Sequence, residues 1–129
     1  AMEALIELTA EHLRTRKQFG APLAKFQVLQ HRLADMVIAL EQAKSMACAA
    51  AMAIAGGDAT HRRRIVSAAK ALVGPLGKRL ALDAIQMHGA MGMTDECRVG
   101  HYAKRLIVNN QLFGDAAHHL RRFAEQPKS

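Results

Sequence analysis

Residues 26–57, FQVLQHRLADMVIALEQAKSMACAAAMAIAGG, carry the pattern that decides the fold. Phe26, Leu29, Leu33, Met36, Leu40, Ala43, Ala47, Ala50 and Ile54 recur by alternating steps of three and four. Residues so spaced share one face of an α-helix, and the run predicts a bundle seam sustained over about four heptads. Gly56-Gly57 ends it, with the first glycine suited to a left-handed C-cap.

Downstream, Asp58 is the expected N-cap of a third helix whose buried stripe reads Ile65, Ala69, Leu72, Leu76, Leu80, Ala84 and Met87. Pro75, between Gly74 and Gly77, predicts a kink or local break near Gly74. A proline inside a helix removes one backbone donor and clashes with the preceding turn, which costs about 3 kcal/mol unless a bend absorbs it. A glycine- and methionine-rich loop follows at residues 89–94. A short fourth helix spans residues 98–109, with Val99, Tyr102 and Leu106 inward and Ile107 at the margin of that face. Asp115 caps a last helix reaching residue 124, and residues 126–129 read as a frayed tail.

Upstream, residues 2–16 form the first helix, with Met2, Leu5, Ile6 and Leu13 on one face and Thr9 between them. Glu3, Glu7 and Glu11 occupy its N-terminal half and Arg14, Arg16 and Lys17 its end, each sign where the helix dipole favours it. Gly20 and Pro22 break the pattern. Helical periodicity begins at once, with no cap before it, so the chain is expected to be cut from a longer protein. The sum is an all-α chain, one domain over residues 1–129: an up-and-down bundle of three main helices completed by two shorter ones.

Composition agrees. Half of the 129 residues are apolar and 4% aromatic, a balance that favours helix over sheet and excludes disorder. The formal charge of +7 raises the question of a polyanion. The basic residues are scattered apart from Arg62-Arg63-Arg64, and no aromatics interleave with them for base stacking, so no nucleic acid is expected. Cys48 and Cys97 form neither a metal motif nor a disulfide framework; Cys48 reads as a small apolar filler, and a reducing cytoplasm is the default. With Glu3, Glu7 and Glu11 at the start no segment reads as a signal peptide, and the longest apolar stretch, residues 45–55, is expected to be too short and too alanine-rich to span a bilayer.

Three stretches are more specific than a bundle requires. Arg16-Lys17-Gln18-Phe19-Gly20, leading to Phe26-Gln27, serves either as a basic helix end with a turn or as a phosphate site using the guanidinium fork of Arg16. Gln86-Met87-His88-Gly89-Ala90-Met91-Gly92-Met93 serves as a plain turn or as a loop whose missing side chains admit a ligand to the backbone. In Phe113-Gly114-Asp115-Ala116-Ala117-His118-His119, adjacent histidines point about 100° apart and cannot grip one metal, so no metal site is expected; backbone donors at the helix start are the better ligand candidates.

Together, RTRKQFGAPLAKFQVLQHRLADM (14–36), ALDAIQMHGAMGMTDECRVGHYAKR (81–105) and LFGDAAHHLRRFA (112–124) resemble, in order and spacing, the C-terminal helical domain of the acyl-CoA dehydrogenases. The Gly-Asp-Ala-x-His-His ending is most similar to bacterial subtypes such as the small subunit of pimeloyl-CoA dehydrogenase. The resemblance implies a four-helix-bundle type domain. It also implies a flavoenzyme that binds FAD between subunits and removes two hydrogens from an acyl-CoA thioester, a carboxylate taking the α-proton as hydride passes to the flavin. It further implies that Arg16, Gln18 and Phe19 reach the FAD of a neighbouring subunit and that Gln27 lies near the same cofactor. Gln86, Gly89, Ala90 and Gly92 then line its adenosine-pyrophosphate side, while Gly114 and Asp115 meet the flavin end.

Two departures stand out against the family pattern. Phe113 occupies the usual position of the base, so no catalytic residue is expected in this chain, and Ala90 replaces a usual glycine. The isolated domain is expected to be inactive and free of FAD, and to form a homo-oligomer or to join another subunit of the family. The alternative is a stand-alone helical interaction or oligomerisation module.

Overall fold

In the computed structural model, residues 1–125 are described. They form five α-helices: α1 (Met2–Thr15), α2 (Gln27–Ala55), α3 (Ala59–His88), α4 (Arg98–Gln111) and α5 (Ala116–Ala124). The expected tail at residues 126–129 lies outside the described residues. Helix existence, order and boundaries follow the sequence pattern closely. The pattern did not show a two-stranded hairpin between α1 and α2, in which β1 (Lys17–Gln18) pairs antiparallel with β2 (Ala21–Pro22). A 3₁₀ turn at Leu23–Lys25 and another at Gly89–Met93 complete the chain.

α2 and α3 are antiparallel. Arg32, early in α2, pairs with Asp83, late in α3, at 3.7 Å. At the other end Ala53 and Ile65 line one cavity. The short link forces this: Asp58 accepts a hydrogen bond from the Thr60 amide at 2.9 Å and starts α3 at once. The left-handed residue of the link is Gly57 (φ 83), while Gly56 stays right-handed (φ −75). The expectation of a left-handed Gly56 is thus corrected by one position: Gly56, the C-cap, still donates to the Met52 carbonyl in right-handed conformation, and the residue after it takes the reversal.

α3 is the hub, packing against α1, α2, α4 and α5. Leu5 and Leu13 of α1, Met36 of α2, Leu80 of α3 and Val99 of α4 are fully buried together. Each leucine so buried contributes about 1.5–3 kcal/mol. Thr9 joins them because its hydroxyl donates to the Leu5 carbonyl at 2.7 Å, satisfying the polar atom inside the helix. Gly74 and Gly77 let α4 approach, Gly74 lying against Asn110 and Gly77 against Leu106.

Several burial expectations need correction. Ala47 and Ile54 of the seam are exposed, and the buried row after Ala43 runs through Ala53. Ala39 and Leu40 both pack on the core, and from there the covered row is 39, 46, 53 rather than 40, 47, 54. Both rows obey the same spacing; the position of α3 chooses between them. Leu72 is 40% exposed and Ile107 38%, outside the faces that α4, α5 and α2 cover. Cys48 is exposed rather than a core filler. α3 runs through Pro75 as one helix, so of the expected kink or local break the break is absent.

α2 is, by length and composition, long and apolar enough to cross a membrane, with a mean hydropathy of 1.3 over its best window. Its longest uninterrupted apolar run, residues 45–55, does not by itself reveal this. Most of that surface is unburied in the bundle: Val28, Ile38, Met52 and Ile54 all stand exposed.

Candidate functional site

The Arg16–Gly20 stretch forms the hairpin. Lys17 faces Pro22 and Gln18 faces Ala21, leaving Phe19-Gly20 as a two-residue turn with φ of 53 and 77. Positive φ at both positions is the mirror-image turn that matches strand twist, and it is costly for a phenylalanine. Arg16 ends α1 in extended conformation and its carbonyl accepts from the Leu23 amide at 2.9 Å, closing the hairpin. The Phe19 ring is 90% exposed and meets Phe26 only edge-on, at 6.0 Å between centroids. Gln27, next to Phe26, is the first residue of α2 and also exposed.

The Gln86–Met93 stretch ends α3 at the same end of the bundle. Gly89 is left-handed (φ 62), with open space where a Cβ would be. Gly92 is buried, and a Cβ there would lie 2.9 Å from the Ile85 carbonyl oxygen. Its missing side chain therefore serves the folding of the loop onto α3. Gln86, Gly89 and Ala90 are exposed.

His12 and His88 join these two stretches, their rings stacked with centroids 4.4 Å apart. His88 is buried and its Nδ1 donates to the Ala84 carbonyl at 2.8 Å. Burial holds the His12 imidazole below its ordinary value, and the neighbouring His88 and Arg16 push it the same way. The sequence reading missed this pair. Its one signal was that both histidines sit within four residues of a motif edge.

Phe113, Gly114 and Asp115 lie elsewhere, beside the first half of α3. Phe113 is left-handed (φ 60) and 94% exposed, and Gly114 follows at φ 96. Asp115 caps α5, accepting from the His118 amide at 2.8 Å. Lys70 donates to the carbonyls of Leu112 (2.9 Å) and Asn109 (3.0 Å). His119 is buried, with Nε2 3.0 Å from the Phe113 carbonyl and Nδ1 3.4 Å from Ser67 Oγ. The His118 and His119 rings stand at 87° to each other, so the adjacent histidines do different work. Lys70 and His119 also escaped the sequence pattern; a lone lysine between the apolar residues 68–69 and 71–72 was the available signal.

The structure thus brings Arg16, Gln18, Phe19, Gln27, Gln86, Gly89, Ala90 and Gly92 to one end. Gly114 and Asp115, with Phe113, sit some eighteen residues away along α3, about 27 Å at the helical rise of 1.5 Å. Two separate groups of candidate residues result, one at each end of this span of α3.

The family described as the acyl-CoA dehydrogenase C-terminal domain matches residues 1–126. The acyl-CoA dehydrogenase IpdE2 of Mycobacterium tuberculosis is 32% identical over 126 residues, covering 98% of this chain and 37% of that protein. The chain therefore spans little more than a third of the length of that relative. Butyryl-CoA dehydrogenase from Megasphaera elsdenii superposes with a TM-score of 0.88 at 26% identity, over 95% of this chain and 32% of the other. The FAD complex of PigA superposes with a TM-score of 0.86 at 26% identity, over 95% of this chain and 32% of the other.

Proposed function

The chain belongs to the acyl-CoA dehydrogenase family as its C-terminal domain, and on that premise we propose that it is the FAD-contacting and oligomerisation domain of a flavoprotein that α,β-dehydrogenates an acyl-CoA thioester. One observation carries the cofactor part. A left-handed, exposed Phe19 and an exposed Arg16 stand on a hairpin that the His12–His88 stack ties to the open Gly89 loop. An exposed ring held in costly backbone geometry is arranged for a partner. Among the described residues no carboxylate bridges Arg16, whose planar fork suits a pyrophosphate.

Bound FAD supplies the hydride acceptor. In this reading Arg16 neutralises phosphate charge, Phe19 offers an aromatic face, Gln18 and Gln27 offer amides, and Gln86 with the Gly89–Gly92 loop borders the adenosine side. Gly114 and Asp115 serve a second cofactor end. Phe113 has no lone pair to receive a proton, so α-proton transfer depends on a carboxylate outside position 113. The isolated domain is inactive and retains no FAD.

The exposed apolar face of α2 supports assembly with a second copy or another family subunit; light scattering of the intact protein is expected to give a dimer or larger. That same face favours a second reading, a stand-alone helical interaction module, which predicts a native protein of this length alone by mass. We place the protein in a reducing cytoplasm, a setting that the exposed thiol of Cys48 supports. The deciding experiment is Arg16→Ala in the intact protein. Losing one charge-assisted contact, about 1.5–3 kcal/mol, is expected to weaken FAD retention about ten- to 150-fold. Undiminished flavin occupancy and affinity would remove the cofactor role.

A further inference from the structure

The last carbonyls of a helix carry its negative pole, so each helix end favours a cation. Two such ends meet in this fold. His12 lies in the last turn of α1, His88 closes α3, and their rings stack at 4.4 Å. Either end alone would favour a protonated imidazole; the contact opposes two. His88 is buried and its Nδ1 hydrogen goes to the Ala84 carbonyl at 2.8 Å, so Nε2 keeps the lone pair that a second proton would take. The surroundings supply no compensating anion. Arg16, one turn beyond His12, is a cation. The hairpin and the turn at Leu23–Lys25, which pack on α1, carry only Lys17 and Lys25 as charged groups. On α2, Arg32 is engaged by Asp83 at 3.7 Å, and His31 and Asp35 are exposed. On the side of α4, Glu96, Cys97 and Arg98 border the cavity that His88 also lines. On α1 itself Glu11 is engaged by Arg14 at 3.1 Å. Among the described residues no carboxylate is in ion-pair contact with either imidazole.

The two histidines also anchor two motifs. The His12 carbonyl accepts from the Arg16 amide at 2.9 Å, where the hairpin begins, and the left-handed Gly89 follows His88 directly. We propose that the His12–His88 stack is a proton-operated latch between the hairpin and the Gly89 loop. Neutral, it holds the last turn of α1, with Arg16 and Phe19 beyond it, against the last turn of α3. Protonated, it opens and frees the hairpin from the loop. Linkage fixes the sign. Burial first, then His88 and Arg16, hold His12 below its ordinary 6.5 while the stack is closed. The opened pair therefore binds protons more tightly, and acid favours it. A tenfold difference in proton affinity favours opening about tenfold once the pH is below both values. The latch follows from the geometry of the pair; that its opening releases FAD rests on the flavoprotein reading above and deepens it.

The test compares the intact protein at pH 7.5 and pH 5.5 with two variants. His12→Phe keeps a ring for the stack but takes no proton, and His12→Lys carries a charge at both pH values. Amide hydrogen exchange is divided by the intrinsic rate at each pH. In the parent, protection of the peptides spanning residues 14–24 and 86–94 is expected to fall at least fivefold at pH 5.5, with the peptide spanning residues 60–73 unchanged. His12→Phe is expected to stay protected at both pH values and His12→Lys to be unprotected at both. FAD retained per chain after dialysis is expected to follow the same pattern. Equal acid sensitivity in the parent and His12→Phe, or none in the parent, would overturn the latch, as would acid opening with FAD retention unmoved. If His12→Phe does not fold, the imidazole titration of His12 by carbon NMR decides. A midpoint below 6.5 in the parent that rises in His88→Gln supports the latch, and a midpoint that His88→Gln leaves in place overturns it. A parent that holds no FAD at pH 7.5 overturns the flavoprotein reading alone, and the exchange measurements still decide the latch.

Discussion

The imidazoles of His12 and His88 stack with centroids 4.4 Å apart and ring planes inclined by 28°, joining the last turn of α1 to the last turn of α3. Two rings at that separation repel when both are charged, and the Arg16 cation lies one helical turn beyond His12. The folded-state value of His12 is accordingly lowered from 6.5, by burial first, then by His88 and Arg16. As pH falls below about 6.5, the unfolded chain takes up a proton that folded His12 resists, so stability is lost through the window between the unfolded value and the lower folded one. Above that window the contribution is fully present. Thermal melts from pH 7.5 to pH 5 are expected to show this acid-side loss, and His12→Gln is expected to flatten it. An unchanged slope in the variant would contradict the assignment.

Gly92→Ala is expected to destabilise the chain by about 1–3 kcal/mol, the usual range for overpacking a filled site. The new Cβ would lie 2.9 Å from Ile85 O and 3.1 Å from His88 Cβ, and the backbone atom cannot swing away. Ala90→Gly, at an exposed position, is expected to cost less than about 1 kcal/mol. Urea titrations with equal slopes separate the two; a harmless Gly92→Ala would mean that the loop does not rest on α3.

Phe19→Gly separates stability from function. Glycine relieves the left-handed penalty at φ 53, worth about 1–2 kcal/mol, but loses the edge contact with Phe26 and adds freedom to the unfolded chain. Stability is expected to stay within about 1 kcal/mol of the parent. Flavin retention by the intact protein is expected to fall clearly. Equal retention would show that the exposed ring has no part in cofactor contact.

Leu80→Ala and Leu72→Ala test the assignment of faces on α3. Leu80 is 1% exposed within the core and its truncation is expected to cost about 2–5 kcal/mol. Leu72 is 40% exposed, and its truncation is expected to cost less than about 1 kcal/mol. Both belong to the same sequence stripe, so calorimetry on the pair measures what packing adds to periodicity.

The helices were legible because periodicity and caps are local. Asp58 and Asp115 take the cap positions that their place in the sequence requires, and each accepts a hydrogen bond from a backbone amide of the first turn. The three motifs were legible for the same reason, as residue types in a fixed order. The hairpin at Lys17–Pro22 escaped because its turn is Phe19-Gly20, where one half of the usual signal is a bulky aromatic. Which motifs meet was not legible at all. Arg16 and Gly89 are far apart in sequence but adjacent in the bundle through His12 and His88, whereas Phe113 stands at the far side of α3.

By itself the sequence determined that the chain is a helical bundle, where its helices begin and end, and to which family its motifs belong. Only the tertiary structure decided that Ala53 is covered and Ile54 bare, that Leu72 faces outward, and that Phe19 and Phe113 are held left-handed and exposed. The physical reason is that a helix's period offers several equivalent faces at almost the same cost. The choice among them, and the price of a strained turn, is settled by the neighbours that pack against it: α3 for the seam of α2, and Lys70 with His119 for the turn at Phe113.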